Sequence, residues 1–284
     1  MKYVINGQLT DADQAVLGVR DLALLRGYGI FDYFLFDRYQ PLFLEDYLRR
    51  FYRSAQLMHL EVPVAAEELE SQILDLIRTN EFVRGGLRLV LTGGYSTDGY
   101  TPEAGNLMIM QYPWPEHPPQ CYTQGVRLLT HRYQREVPEV KTLNYMTGIR
   151  MLPKLRKAGA KELLYFQDDR ITESTRSNFF VVMKDGTLVT PGEDILLGIT
   201  RQEILALAQP LTRVEVRDLH LHELANIEEA FLTGSTKKVM PVVQINGLQI
   251  GTGRPGPFTR EMMQAFAQHC TRYAEEGGRS VRMV

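Results

Sequence analysis

The sequence predicts an α+β protein (α/β mixed) of two domains, and three observations carry that expectation. Apolar β-rich runs and helical periodicities follow one another without strict strand–helix–strand alternation. The chain has 284 residues, 44% hydrophobic and 23% charged, enough for one large or two ordinary cores. The cluster Tyr112-Pro113-Trp114-Pro115-Glu116-His117-Pro118-Pro119 lets no helix through and favours an extended chain. The expected domains are residues 1–115 (small, N-terminal) and 122–284 (larger, C-terminal), joined by a proline-rich linker at 116–121.

The elements follow in order. YVINGQL at 3–9 reads as strand, turn, strand, with Asn6-Gly7 as the hairpin signal. Arg26-Gly27-Tyr28-Gly29 breaks the chain before the strand Ile30 to Phe36, whose partner is Pro41-Leu42-Phe43. Leu48, Phe51, Ala55 and Met58 share one face of a helix over 44–60, on which Arg49, Arg50 and Arg53 crowd. A helix over 65–80 and strands at 87–91 and 106–110 come next, the strands separated by a long polar loop from Thr92 to Gly105. The second half predicts strands at 126–130, 162–166, 179–183 and from 230, and helices at 148–157, 202–208 and 259–273. Asn246-Gly247 marks a further hairpin.

Charge is balanced, 32 basic against 34 acidic residues, which argues against a nucleic-acid surface. Cys121 and Cys270 show no metal or redox spacing, so a reduced compartment is expected. The first residues read as strand and turn rather than a secretion signal, and no apolar run approaches the roughly 20 residues of a membrane span. The expectation is a soluble, cytoplasmic protein, without nucleic acid, membrane or metal.

Candidate chemistry centres on Glu139-Val140-Lys141-Thr142-Leu143-Asn144-Tyr145. None of the eight lysines lies between Lys2 and Lys141, and Lys141 is flanked by Val140 and Leu143. Such a lysine either snorkels to the surface or is desolvated toward the neutral amine that a Schiff base needs. Glu173 follows 32 residues later, in a Thr/Ser setting, where a carboxylate could keep a pyridine nitrogen protonated. Gly198-Ile199-Thr200 opens a helix, whose free N–H groups and dipole favour a phosphate. Gly234-Ser235-Thr236 offers more backbone donors and hydroxyls. Each has a plainer reading, as a surface glutamate or a helix start with a hydroxyl cap; the ordered set carries the argument.

That order resembles the fold-type IV pyridoxal phosphate enzymes: branched-chain aminotransferases, D-amino acid transaminases and aminodeoxychorismate lyases. The resemblance spans nearly the whole chain. Lys141-Thr142-Leu143-Asn144 is similar to the lysine motif of the D-amino acid and lyase branches. Ile171-Thr172-Glu173, with Asn178, resembles the T/S-E-(x)4-N segment, and Gly198-Ile199-Thr200-Arg201 is the G-I-T-R motif as it stands. Phe231 to Thr236 with Pro241-Val242 looks like the late phosphate loop, Gly29-Ile30-Phe31-Asp32 like the G-V-F/Y-E strand, and Arg50 with Ser54-Ala55 like the R-L-x-x-S-A helix. The resemblance implies a pyridoxal 5′-phosphate enzyme with the cofactor between two domains, in a homodimer whose partner chain completes the pocket. It implies Lys141 as Schiff-base lysine and proton carrier and Glu173 on the pyridinium. Arg50, Ile199, Thr200 and Ser235 or Thr236 would hold the phosphate.

The departures bear on substrate. Branched-chain enzymes typically carry a glycine and an arginine after the F-E pair, where this chain has Tyr33 and Leu35. D-amino acid transaminases use Arg-x-His in the loop after the third strand; the loop here, Tyr95 to Tyr100, has no cation. A substrate carboxylate still needs a charged donor. Arg26 and Arg176 stand where relatives usually carry uncharged residues, so they are the expected substrate-binding arginines, with Phe31, Tyr100 and Tyr145 as pocket walls. Two clamps suit a dicarboxylate. The expected activity is a transaminase using D-alanine or D-glutamate with a 2-oxo acid. The alternatives are an aminodeoxychorismate lyase, against which Asp98 stands where an arginine is usual, and an L-branched-chain transaminase.

Overall fold

The computed structural model describes residues 1–277 and divides into two compact units. The first contains Met1–Pro115, Val140–Asn144 and the chain from Cys270; the second contains Glu116–Glu139 and Tyr145–His269.

In the first unit, β1 (Lys2–Ile5) and β2 (Gln8–Asp11) form a hairpin, and α1 (Leu22–Arg26) precedes β3 (Gly29–Asp37). Asn6 and Gly7 take φ of 50° and 78°, the backbone an Asn-Gly turn supplies. β4 (Gln40–Pro41) is shorter than the sequence suggests, because Phe43 turns left-handed and starts α2 (Leu44–Leu57). Then come α3 (Ala66–Asn80), β5 (Arg84–Thr92) and β6 (Leu107–Pro113), giving an antiparallel sheet of order β2-β1-β6-β5-β3-β4. Ile30, Phe34 and Phe36 alternate along β3 and are fully buried, as are Leu87, Leu89 and Leu91 of β5. Helix α2 packs on β3, and α3 on β1 and β6. Gly86 of β5 leaves room for Tyr33, whose hydroxyl a Cβ there would meet at 1.8 Å.

The second unit starts with α4 (Gln120–Thr123) and β7 (Val126–Arg132), where the sequence suggests a linker up to residue 121. The helix expected at 148–157 is two, α5 (Met146–Arg150) and α6 (Leu152–Ala158), broken at Met151 ahead of Pro153. β8 (Glu162–Gln167), β9 (Arg170–Ser174), β10 (Asn178–Met183) and β11 (Leu188–Thr190) precede α7 (Ile199–Ala208). β12 (Val214–Val216), β13 (Leu219–His220) and a 3-10 turn (Leu221–Asn226) lead to β14 (Ile227–Gly234), β15 (Lys238–Ile245) and β16 (Leu248–Gln249). Helix α8 (Pro257–Glu275) follows. The mixed sheet runs β12-β11-β10-β14-β15-β7-β8-β9-β13, with β16 on β15. Phe179, Val181, Leu232, Met240 and Val242 fill its core, and Phe180 stacks on Phe231. β7 and β8 are parallel, so a crossover must join them. That crossover carries Val140–Asn144. Among the described residues no helix is long and apolar enough to cross a membrane.

Candidate active site

In the first unit the site is built on β3. Successive side chains alternate faces. Asp32 therefore shares the face of Ile30 and Phe34, toward α2, and Phe31 and Tyr33 take the other. On the α2 side, Arg50 grips Asp32 with two parallel bonds, Nη2 to Oδ1 at 2.6 Å and Nε to Oδ2 at 2.9 Å. The pair is buried, with side-chain exposures of 11% and 1%. Arg50 also lies 5.1 Å from the Tyr47 ring. Its helix neighbour Arg49 is half exposed and pairs with Glu45 and Asp46.

Along the edge of β3 opposite β5, Val140–Asn144 pairs antiparallel with the start of the strand. Phe31 donates its N–H to the Lys141 carbonyl at 2.9 Å, Leu143 donates to Gly29 at 3.1 Å, and Ile30 bridges Thr142. Gly29 is needed there: a Cβ would meet Leu91 O at 2.7 Å and the Leu143 side chain at 2.8 Å. The docking sets Lys141 Nζ 4.8 Å from the centre of the Phe31 ring. Arg88, opposite Tyr33 on β5, lies 5.5, 5.8 and 5.4 Å from the rings of Phe31, Tyr33 and Tyr112. An amine and a guanidinium thus share one aromatic platform.

Arg26 ends α1, is exposed and donates to the Leu25 carbonyl at 3.0 Å. Its guanidinium lies beside Gly99, in the loop that ends on Tyr100, which is 80% exposed. Asp98 shapes that loop by accepting from Thr101 N–H and Oγ1, Tyr100 N–H and Ser96 Oγ at 2.7–2.9 Å. The Thr101 hydroxyl and N–H, then Tyr100 and Ser96, hold its carboxyl well below the usual range.

In the second unit the T/S-E-(x)4-N segment works as a clasp. Glu173 Oε2 accepts the Leu196 N–H at 3.0 Å, and Asn178 Nδ2 donates to the Leu196 carbonyl at 2.7 Å. One residue held from both sides fixes the loop entering α7. Gly198 caps α7 with no side-chain hydrogen bond, and a Cβ there would strike Asn178 Oδ1 at 2.1 Å. Ile199 and Thr200, both buried, open the helix at its positive end. Arg201 turns inward and donates to Pro191 O at 3.0 Å, and burial lowers its pKa. Asn178 stands opposite Thr233 in the β10–β14 ladder, so Ser235 and Thr236, just beyond β14, lie at the same end of the sheet as the start of α7.

Glu173 does not sit in the uncharged setting the sequence suggests. Arg135 donates Nε to its Oε1 at 2.6 Å and further bonds to the carbonyls of Val137 and Pro138. Arg176 is 61% exposed along its side chain and donates to Glu162 at 3.3 Å. Tyr145 precedes α5 and is half-buried. Sequence reasoning missed Arg88 and Arg135. Arg88 was findable, as the one charge between Leu87 and Leu89 in a strand whose other face is core. Arg135 was not, because 38 residues separate it from Glu173 with no periodicity between.

The second unit's donor set fits the ring nitrogen and phosphate of a phosphorylated pyridine cofactor: a buried carboxylate with fixed orientation, a helix start without a side-chain cap and adjoining hydroxyls. The amino-transferase class IV family model matches residues 29–245. The chain belongs to the class IV aminotransferases. A D-alanine aminotransferase of Bacillus licheniformis is 29% identical over 94% of this chain and 96% of its own length. The structure of the Escherichia coli branched-chain amino acid aminotransferase superposes with a TM-score of 0.90, at 26% identity and over 99% and 97% of the two chains. A T.th. branched-chain amino acid aminotransferase, complexed with N-(5′-phosphopyridoxyl)-L-glutamate, gives 0.87 at 25% identity over 97% of each chain. This class IV aminotransferase has the fold-type IV architecture, and its cofactor is pyridoxal 5′-phosphate.

Proposed function

We propose that this aminotransferase moves the amino group of a D-amino acid, D-alanine or D-glutamate, to a 2-oxo acid. The observation that carries the reading is the Phe31 ring with Lys141 Nζ and the Arg88 guanidinium both set on it. An amine that moves protons needs a cation close by to orient the substrate carboxylate, and the Asp98-shaped loop supplies none. The D-alanine relative, and the Tyr33 and Leu35 side chains where branched-chain enzymes carry other residues, support the D-amino acid.

Bound pyridoxal 5′-phosphate supplies an electron sink for the charge released at the substrate Cα. Lys141 Nζ takes the proton from that Cα and returns it on the other side of the transfer. Glu173 would hold the ring N–H, with Arg135 and the Leu196 N–H fixing the direction of its oxygens. Ile199, Thr200, Ser235, Thr236 and Arg50 would hold the phosphate, Asp32 setting the Arg50 rotamer. Arg88 would take the substrate carboxylate, and Arg26 and Arg176 a second one, with Phe31, Tyr100 and Tyr145 as walls. The two units would act as the two domains of a cytoplasmic homodimer.

A second reading, L-branched-chain transamination, is supported by the TM-score of 0.90 to the Escherichia coli enzyme. The visible spectrum of the cofactor-loaded protein separates them. Bleaching by D-glutamate or D-alanine, and not by L-leucine, is expected. Bleaching by L-leucine alone overturns the D-amino acid reading, and no response to any of them moves the proposal to the aminodeoxychorismate lyase reaction.

A further inference from the structure

Two adjacent lysines, Lys237 and Lys238, close the β14–β15 hairpin directly after Ser235 and Thr236. They point to different work. Lys238 takes φ of 56° opposite Gly234, the left-handed position that closes a three-residue hairpin loop. Lys237 goes inward and is 2% exposed. Its Nζ lies 2.7 Å from Glu162 Oε1 and 2.9 Å from Ser177 Oγ, while its carbonyl accepts the Tyr122 hydroxyl at 3.2 Å.

Glu162, also 2% exposed, is the hub of this cluster. Its Oε2 accepts Ser174 Oγ at 2.6 Å and Ser177 Oγ at 3.3 Å, and its Oε1 also accepts Arg176. Ser174 and Ser177 close the turn after Glu173, with Ser174 N–H on the Ser177 carbonyl at 2.8 Å. The buried pair therefore joins two short loops. One bears Ser235 and Thr236, and the other starts at Glu173 and ends at Asn178, which clasps the entry to α7.

We propose that the Lys237–Glu162 ion pair is a positioning device: it fixes the 235–237 loop against the Glu173 turn, so that Ser235 and Thr236 are pre-set to hold the cofactor phosphate. The inference rests on the phosphate reading of Ser235 and Thr236 given above. A charge pair this deep is costly to desolvate, and an apolar pair would fill the space as well for stability alone. What an apolar pair cannot supply is direction. Two hydrogen bonds at Nζ and one at the carbonyl leave Lys237 a single placement, and its two predecessors inherit it.

The test compares pyridoxal 5′-phosphate with pyridoxal, which lacks the phosphate, by absorbance titration of the full-length chain. Wild type should bind the phosphorylated form far more tightly. In Lys237→Met, affinity for pyridoxal 5′-phosphate should fall about tenfold or more, as when a supporting partner of a ligand is removed, with pyridoxal affinity unchanged. Lys237→Arg, which keeps the charge, should restore part of the difference. Lys237→Met alone leaves Glu162 without its closest cation, so Glu162→Gln/Lys237→Met serves as the variant that retains fold and volume; it should show the same selective loss with a recovered melting temperature. Wild-type selectivity in both variants, or equal weakening for both ligands, overturns the positioning role. A wild type that does not distinguish the two ligands overturns instead the phosphate reading on which it rests.

Discussion

The first unit holds its site charges against aromatic rings, whereas the second holds them in directed hydrogen bonds. Arg88 lies over three rings and Lys141 over one of the same three. A ring face attracts a cation without a single acceptor atom, so these contacts carry no hydrogen-bond direction. Glu173 has one oxygen on Arg135 and the other on a backbone N–H, and Glu162 is met by two cations and two serines. Hydrogen bonds weaken steeply with misalignment, so these groups have one placement. Under the proposed function, the second unit's directed bonds would pre-set the groups that hold the ring nitrogen and the phosphate. The exception, Arg50 locked on Asp32, lies on the helix side of β3 and belongs in character with the second unit.

Substitutions break or sharpen that contrast. The largest effect is expected at Lys141: Lys141→Ala should lower kcat by about 10³-fold or more and abolish a borohydride-trapped lysine adduct, detectable by mass spectrometry. Glu173→Ala should lower kcat by about 10²-fold. It also strands Arg135, so unfolding in denaturant should show a loss of about 3 kcal/mol. Arg88→Met should act differently, raising KM for the amino acid about tenfold or more, the worth of a charge-assisted bond, with cofactor affinity and melting temperature held. An unchanged KM would remove Arg88 from the substrate.

Acid should find the second unit first. Burial pushes the Glu162 carboxyl up, but Lys237 and Arg176, with hydrogen bonds from Lys237 and Ser174, outweigh it and hold the pKa at about 2 against an ordinary 4.5. A depressed carboxylate contributes stability that is complete above its unfolded pKa and lost as pH falls through the folded one. Stability should therefore decline progressively from about pH 4.5 toward about pH 2, and Glu162→Gln should flatten that limb. The smallest effect is expected at Arg78, exposed like its partner Asp75: Arg78→Ala should change stability by under about 0.5 kcal/mol and leave KM alone.

By itself the sequence determined whatever depends on near neighbours. The Asn6-Gly7 and Asn246-Gly247 turns, the α2 and α3 periodicities and the opening of α7 at Gly198 are local, because turn backbone and helical spacing act over a few residues. The motif residues Lys141, Glu173 and Asn178 stood out for the same reason, as fixed patterns within short segments. Tertiary structure alone decided their company. Lys141 follows the linker in the chain, yet its carbonyl's bond from Phe31, with Leu143's to Gly29, places it with the first unit. Glu173 gained Arg135 from 38 residues away, and Lys237 gained Ser177 from 60. A buried charge must find a partner, and which partner it finds is settled only when strand register brings distant segments side by side.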